Sequence, residues 1–127
     1  MLKQSRVLPY VPVSDLSRAR TFYEEKLGIP SREENEGAVV YECGEGSTFV
    51  MYVSGGAGTS QASQAFWEVA DVEAEVAALK QRGVVFEEYD MPELKTVNGI
   101  FTGGGTKAAW FKDTEGNIMA LVQTGVS

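Results

Sequence analysis

The chain has 127 residues, 43% of them hydrophobic, with 18 acidic against 11 basic side chains, no histidine and one cysteine. That length fits one domain, or two small fused modules, with a real core. There is no Lys/Arg cluster for nucleic acid, no apolar run near the ~18 residues that span a bilayer, no internal disulfide, and no Ser-His or Cys-His nucleophile pair.

The N-terminus "MLKQSRVLPYVPV" lacks a charged-then-apolar export signal, so a cytoplasmic protein is expected. The net charge of −7 favours solubility and draws cationic ligands in a salt-dependent way. Cys43 ends the apolar stretch "AVVYEC" and reads as a small core residue. A catalytic thiolate wants a cation beside it.

Residues 6–13, "RVLPYVPV", read as a strand, with Val7, Val11 and Val13 on one face and Leu8 and Tyr10 on the other. Pro9 and Pro12 put it at an edge or a bulge. A helix follows, capped by Ser14 or Asp15, with Leu16, Ala19, Phe22, Tyr23 and Leu27 as its apolar stripe, and Gly28 and Pro30 end it. Strands are predicted at about 31–35, 37–43 and 47–54, with "GEG" (44–46) as the turn between the last two. "SGGAGTSQAS" (54–63) has the composition of a flexible linker.

The pattern then restarts. A strand is expected at 64–70, a helix at 71–83 capped by Asp71 with Val72, Val76 and Leu79 inward, and a strand at 84–89. A glycine-rich loop at 90–107, carrying Met91, Ile100 and Phe101, reads as a lid, as a dimer contact or as disordered chain. Two strands, 106–112 and 117–123, flank "DTEG". Val13 aligns with Val69, and Asp15 with Asp71, each 56 residues on. Such a repeat means two copies of one supersecondary unit. The expected fold is α+β, two repeated βαβββ modules (about 6–54 and 64–124, joined by 55–63) in a cupped, pseudo-two-fold mixed sheet.

These features resemble the vicinal oxygen chelate superfamily, which holds glyoxalase I, extradiol dioxygenases, fosfomycin-modifying enzymes and bleomycin-binding resistance proteins. The resemblance runs from about Val7 to Gln123. It rests on "V-x-D-L" before the first helix (Val13–Leu16), "F-Y-x-x-x-L-G" within it (Phe22–Gly28) and "D-x-E-G-N" (Asp113–Asn117) before the last strand. In the family's metalloenzymes, histidine or glutamate near the start of each half and glutamate on a last strand hold a divalent ion. Motif spacing carries those places onto Leu8, Gln64, Ala120 and a residue near Met51. No ionisable donor stands there, so no metal and no cofactor are expected.

Side-chain alternation makes the expected cup lining Leu8, Tyr10, Phe49, Met51, Gln64, Phe66, Trp110, Ile118 and Ala120. That surface suits stacking of ring-shaped molecules. Glu42, Glu68, Glu87, Asp90 and Tyr10 are the acid–base candidates, with no spacing that fixes a mechanism. The first reading is a metal-independent small-molecule-binding protein of the drug-resistance type, paired as a homodimer, for an aromatic or amphipathic ligand; the acidic balance suits a cation. The alternatives are a superfamily lyase, isomerase or dioxygenase with an atypical site, and a non-catalytic structural or regulatory domain.

Overall fold

The computed structural model describes residues 1–126. The first half contains β1 (Tyr10–Val13), α1 (Leu16–Thr21, continued by a π-helical turn over Phe22–Lys26), β2 (Ser31–Asn35), β3 (Ala38–Glu42) and β4 (Thr48–Val53). The second contains β5 (Ser63–Glu68), α2 (Val72–Gln81), β6 (Asp90–Met91), β7 (Leu94–Val97), β8 (Ile100–Gly103), β9 (Thr106–Lys112) and β10 (Ile118–Thr124). The sheets are ordered β1-β4-β3-β2 and β5-β10-β9-β8-β7-β6. β1 runs parallel to β4, and β5 parallel to β10. In each half the first strand therefore lies beside the last; the first half is βαβββ, and the second carries two strands more. No helix among the described residues is long and apolar enough to cross a membrane.

Each helix starts on the aspartate that the alignment pairs. The Asp15 carboxylate accepts from the Arg18 backbone N–H at 3.0 Å, and the Asp71 carboxylate from that of Ala74 at 3.1 Å. These bonds satisfy N–H groups that a helix start otherwise leaves orphaned. α1 buries Ala19, Phe22 and Tyr23, and α2 buries Val72 and Val76. The helix-facing sides of both sheets join them in one cluster that includes Val11, Val13, Met51, Phe111 and Met119. Full burial of each such side chain contributes roughly 1.5–3 kcal/mol. Phe22 and Trp67 both approach Phe111, with ring centroids 6.2 Å away in each case. The two halves thus share a core, and the opposite face of each sheet points away from it.

In its strands and loops the structure differs from the sequence reading in four places. The first strand begins at Tyr10 rather than residue 6, although Pro9 still accepts a bond from Val50 N–H at 3.0 Å. Residues 84–89 form no regular strand: β8 already occupies the edge of β9 over Thr106–Ala108, leaving room only for a Phe86–Phe111 bridge and a Glu87 N–H bond to Trp110 O at 2.8 Å. The stretch 90–107 is not an open loop, since it adds β6, β7 and β8 to the sheet. Asn98 and Gly99, at φ 55° and 82°, make the β7–β8 turn, and the Glu88 carboxylate pins that turn by accepting from Gly99 N–H and the Thr96 hydroxyl. The linker is anchored as well: Gly58 N–H bonds Asn117 Oδ1 at 3.2 Å.

Candidate functional site

The registers decide which expected lining residues share a surface. Tyr10 pairs with Val50 and Val11 with Met51. Because Val11 and Met51 are wholly buried in the shared core, Tyr10, Val50, Pro12 and Tyr52 take the outer face of the first sheet. Met51 therefore belongs to the helix side, contrary to the cup lining assigned to it from the sequence, whereas Phe49, largely buried on the same face, borders a hollow of about 430 Å³ together with Phe66. Tyr10 lies against Tyr52 instead, with ring centroids 3.8 Å apart. Leu8 is half-buried ahead of β1.

On the second sheet, Ala120 is flanked by Phe66 on β5 and Trp110 on β9. All three take the outer face with Ile118 and Val122, while Met119, Leu121 and Phe111 take the core side. Ala120 is 3% exposed. A carboxylate there would be stripped of water between two rings, whereas a methyl group fits without electrostatic cost. Gln64 falls at a bulge in β5, and its amide N–H donates to Ala62 O at 3.2 Å.

Beside that row of residues, the outer face holds a hollow of about 580 Å³. Trp110 and Ile118, two of the expected lining residues, border it together with Tyr89, Met91, Leu94 and Lys112, which the sequence reading did not name as lining. Tyr89 meets Trp110 edge-on at 5.6 Å, and the Phe101 ring lies tilted to it at 6.4 Å. Burial, then the nearby Glu87 carboxylate, raises the Tyr89 phenol above its ordinary pKa, so at neutral pH it is an uncharged donor and acceptor. Glu87 pairs with Lys112 at 3.5 Å. The hollow thus joins an apolar, aromatic wall to Gln61, Ser63 and one neutral ion pair. Asn98-Gly99 between two apolar-containing runs is the signal that would have found Leu94 and Tyr89: a two-residue hairpin turn.

The other acid–base candidates are ion-paired or exposed. Glu42 faces Arg32 at 3.5 Å, and Asp90 faces Lys95 at 3.8 Å. Glu68 is exposed at the end of β5. Cys43 is half-buried and accepts the Trp67 indole N–H at 3.4 Å. Among the described residues no three His, Cys, Asp or Glu side chains gather to hold a metal ion. Leu8, Gln64 and Ala120, with Val50 and Tyr52 in place of Met51 on the outer face, do not fit a divalent ion, which needs several oxygen or nitrogen donors and a compensating charge.

The "D-x-E-G-N" turn is a clasp between the halves. Asp113 accepts from the Tyr23 hydroxyl at 2.6 Å and from Glu115 and Asn117 N–H at 2.9 Å. Asn117 donates to Pro12 O at 2.7 Å. Glu115 accepts from Ser14 and Asp15 N–H, the Ser14 hydroxyl and the Arg18 guanidinium. Burial opposes its charge, but the Arg18 guanidinium, the Asp15 N–H and the Thr114 and Ser14 hydroxyls outweigh it, and the pKa falls to about 2. Burial, then Asp113, pushes the Tyr23 phenol well up.

Fold and site together define a two-module α+β protein with a ring-lined hollow on an outer sheet face. The profile of the Glyoxalase/Bleomycin resistance protein/Dioxygenase superfamily matches residues 4–121, and the chain belongs to that superfamily. No curated protein matches it. Solved structures of similar fold include a glyoxalase/bleomycin resistance protein/dioxygenase from Alicyclobacillus acidocaldarius (20% identity, TM-score 0.72, covering 98% of this chain and 95% of that one). TnmS3, an antibiotic binding protein from Streptomyces sp. CB03234, is 22% identical with a TM-score of 0.61 over 94% of this chain and 96% of its own. Lactoylglutathione lyase from Agrobacterium tumefaciens is 17% identical with a TM-score of 0.63 over 94% and 93%. At these identities the likeness is one of fold, and the fold serves both a binder and an enzyme.

Proposed function

We propose that this chain is a metal-independent binding protein that holds a planar aromatic or amphipathic molecule against the outer face of its second sheet. The observation that carries this reading is the hollow built on Trp110, Tyr89, Leu94 and Ile118. Its volume lies in the range of drug-sized sites, and its rings offer stacking and edge contacts. The donor set supports binding over metal-assisted chemistry, because Leu8, Gln64 and Ala120 bring no charge to the family's metal positions. The antibiotic-binding fold relative TnmS3 supports the same direction. The ligand's polar part meets the Tyr89 hydroxyl and the Glu87–Lys112 pair.

We further place the protein in the cytoplasm as a homodimer. Tyr10, Val53 and Phe66 are each more than half exposed, and a second copy covering such side chains supports pairing. Sedimentation velocity at micromolar concentration tests it: a single species of twice the 13.8 kDa chain mass is expected, and a monomer throughout contradicts it. Binding is tested by titrating the protein with acridine while following Trp110 emission in a Trp67→Phe variant. Saturable quenching is expected.

A further inference from the structure

We propose that the cleft at the seam between the two halves is a second binding site, for a small amphipathic organic cation such as an aromatic primary amine. The cleft has a volume of about 320 Å³ and shares no lining residue with the hollow at Trp110. Its apolar lining includes Leu27 and Ile29 beyond α1, Trp67 on β5 and Leu79 on α2. The Trp67 indole has its one polar atom occupied by Cys43 Sγ at 3.4 Å, so it presents only apolar and π surface to a guest.

The charged side chains that line the cleft have one sign, while the Arg82 guanidinium sits beside Gly28 at its edge. Glu42, Glu68 and Glu75 line it, and no lysine or arginine does. Glu42 has a partner in Arg32 at 3.5 Å. Glu68 and Glu75 form no ion pair among the described residues. Carboxylates around an apolar, indole-containing lining repel anions and attract a cation that carries its own apolar body. An aromatic ammonium ion meets both demands: its ring covers the apolar surface, and its charge faces the carboxylates, with a cation–π contribution where it passes the indole. A neutral hydrocarbon would leave the rim charges unanswered. The three carboxylates arrive from the ends of β3 and β5 and the first turn of α2, so only the packed halves assemble them.

The two tryptophans separate this site from the other, since Trp67 lines the cleft and Trp110 the hollow. In a Trp110→Phe variant, 2-phenylethylamine produces a saturable change in Trp67 emission, and phenylacetate, its anionic counterpart, does not. Replacing Glu68→Gln and Glu75→Gln together weakens the amine about ten-fold, and added salt weakens it further. In the unaltered chain the amine slows alkylation of Cys43, which borders both the cleft and the hollow beside Arg6; loss of that protection on replacing Glu68 and Glu75, which line only the cleft, assigns it there even where the Trp110 variant does not fold. Equal responses to amine and phenylacetate, an affinity unchanged by the double substitution, or neither emission change nor Cys43 protection up to about 10 mM amine would each overturn the proposal.

Discussion

The Arg18 guanidinium on α1 donates from Nε to Glu115 Oε2 across 2.9 Å, joining the first helix to a turn in the other half of the chain. The Glu115 side chain has no exposed surface, whereas that of Arg18 is about half exposed, at 51%. The pair is one-sided: the carboxylate is dry and many-bonded, and the guanidinium keeps water.

A Glu115→Gln substitution removes the charge and turns an N–H₂ toward groups that are themselves donors. It is expected to cost about 2 kcal/mol, part lost bonds and part the Arg18 charge left without its partner. Urea unfolding at pH 7 measures it, and a midpoint within error of the parent contradicts the clasp.

The same carboxylate sets an acid limit. Its folded pKa of about 2 lies below the ~4.3 of an unfolded glutamate. A depressed pKa stabilises the fold above the unfolded value, and that contribution is lost as pH falls from about 5 toward 2. The Glu115→Gln variant is expected to show a shallower loss of stability across that window, read from urea midpoints at stepped pH.

Gly58 gives a sharper test of the joint between the halves. At φ 72°, a Cβ there would meet Glu115 O at 2.5 Å, while Gly55 has nothing within 4 Å. Gly58→Ala is expected to destabilise by about 2 kcal/mol or more, and Gly55→Ala by under about 0.5 kcal/mol. Guanidinium unfolding of the two variants compares them, and equal midpoints contradict the anchored linker.

Much of this was legible in the sequence because it is local. Asp15 and Asp71 cap both helices, the first strand lies beside the last in both sheets, and the last two strands fall where alternation put them. The side-facing of β4 was not legible. "TFVMYV" is apolar on both faces, so its period names no inside, and only pairing with β1 sends Met51 inward and Tyr52 outward. Residues 90–107 were missed for the opposite reason: glycine content suggested an open loop, but Asn98-Gly99 is a hairpin turn whose strands wall the hollow. The "D-x-E-G-N" motif identified the family and proved to be structural.

Ala120 tests whether the metal positions have lost their function or only one ligand. Ala120→Glu is expected to destabilise the protein by about 2 kcal/mol or more, since it buries a charge between Phe66 and Trp110. Zn²⁺ or Mn²⁺ should not restore the melting temperature, because Leu8 and Gln64 supply no second charge. A metal-dependent rise of several degrees contradicts this reading.

Trp110→Ala is expected to weaken aromatic ligands at the outer hollow about ten-fold or more, as it removes the ring that Tyr89 and Phe101 hold in place. Calorimetric titration with acridine measures the loss. Unchanged affinity would move the site elsewhere.

The most direct measurement is acridine titration of the Trp67→Phe variant, followed through Trp110, before and after exhaustive chelation and again with added Zn²⁺ or Mn²⁺. Saturable quenching with one affinity under all three conditions is the predicted result. Binding that vanishes on chelation and returns with the metal would contradict it.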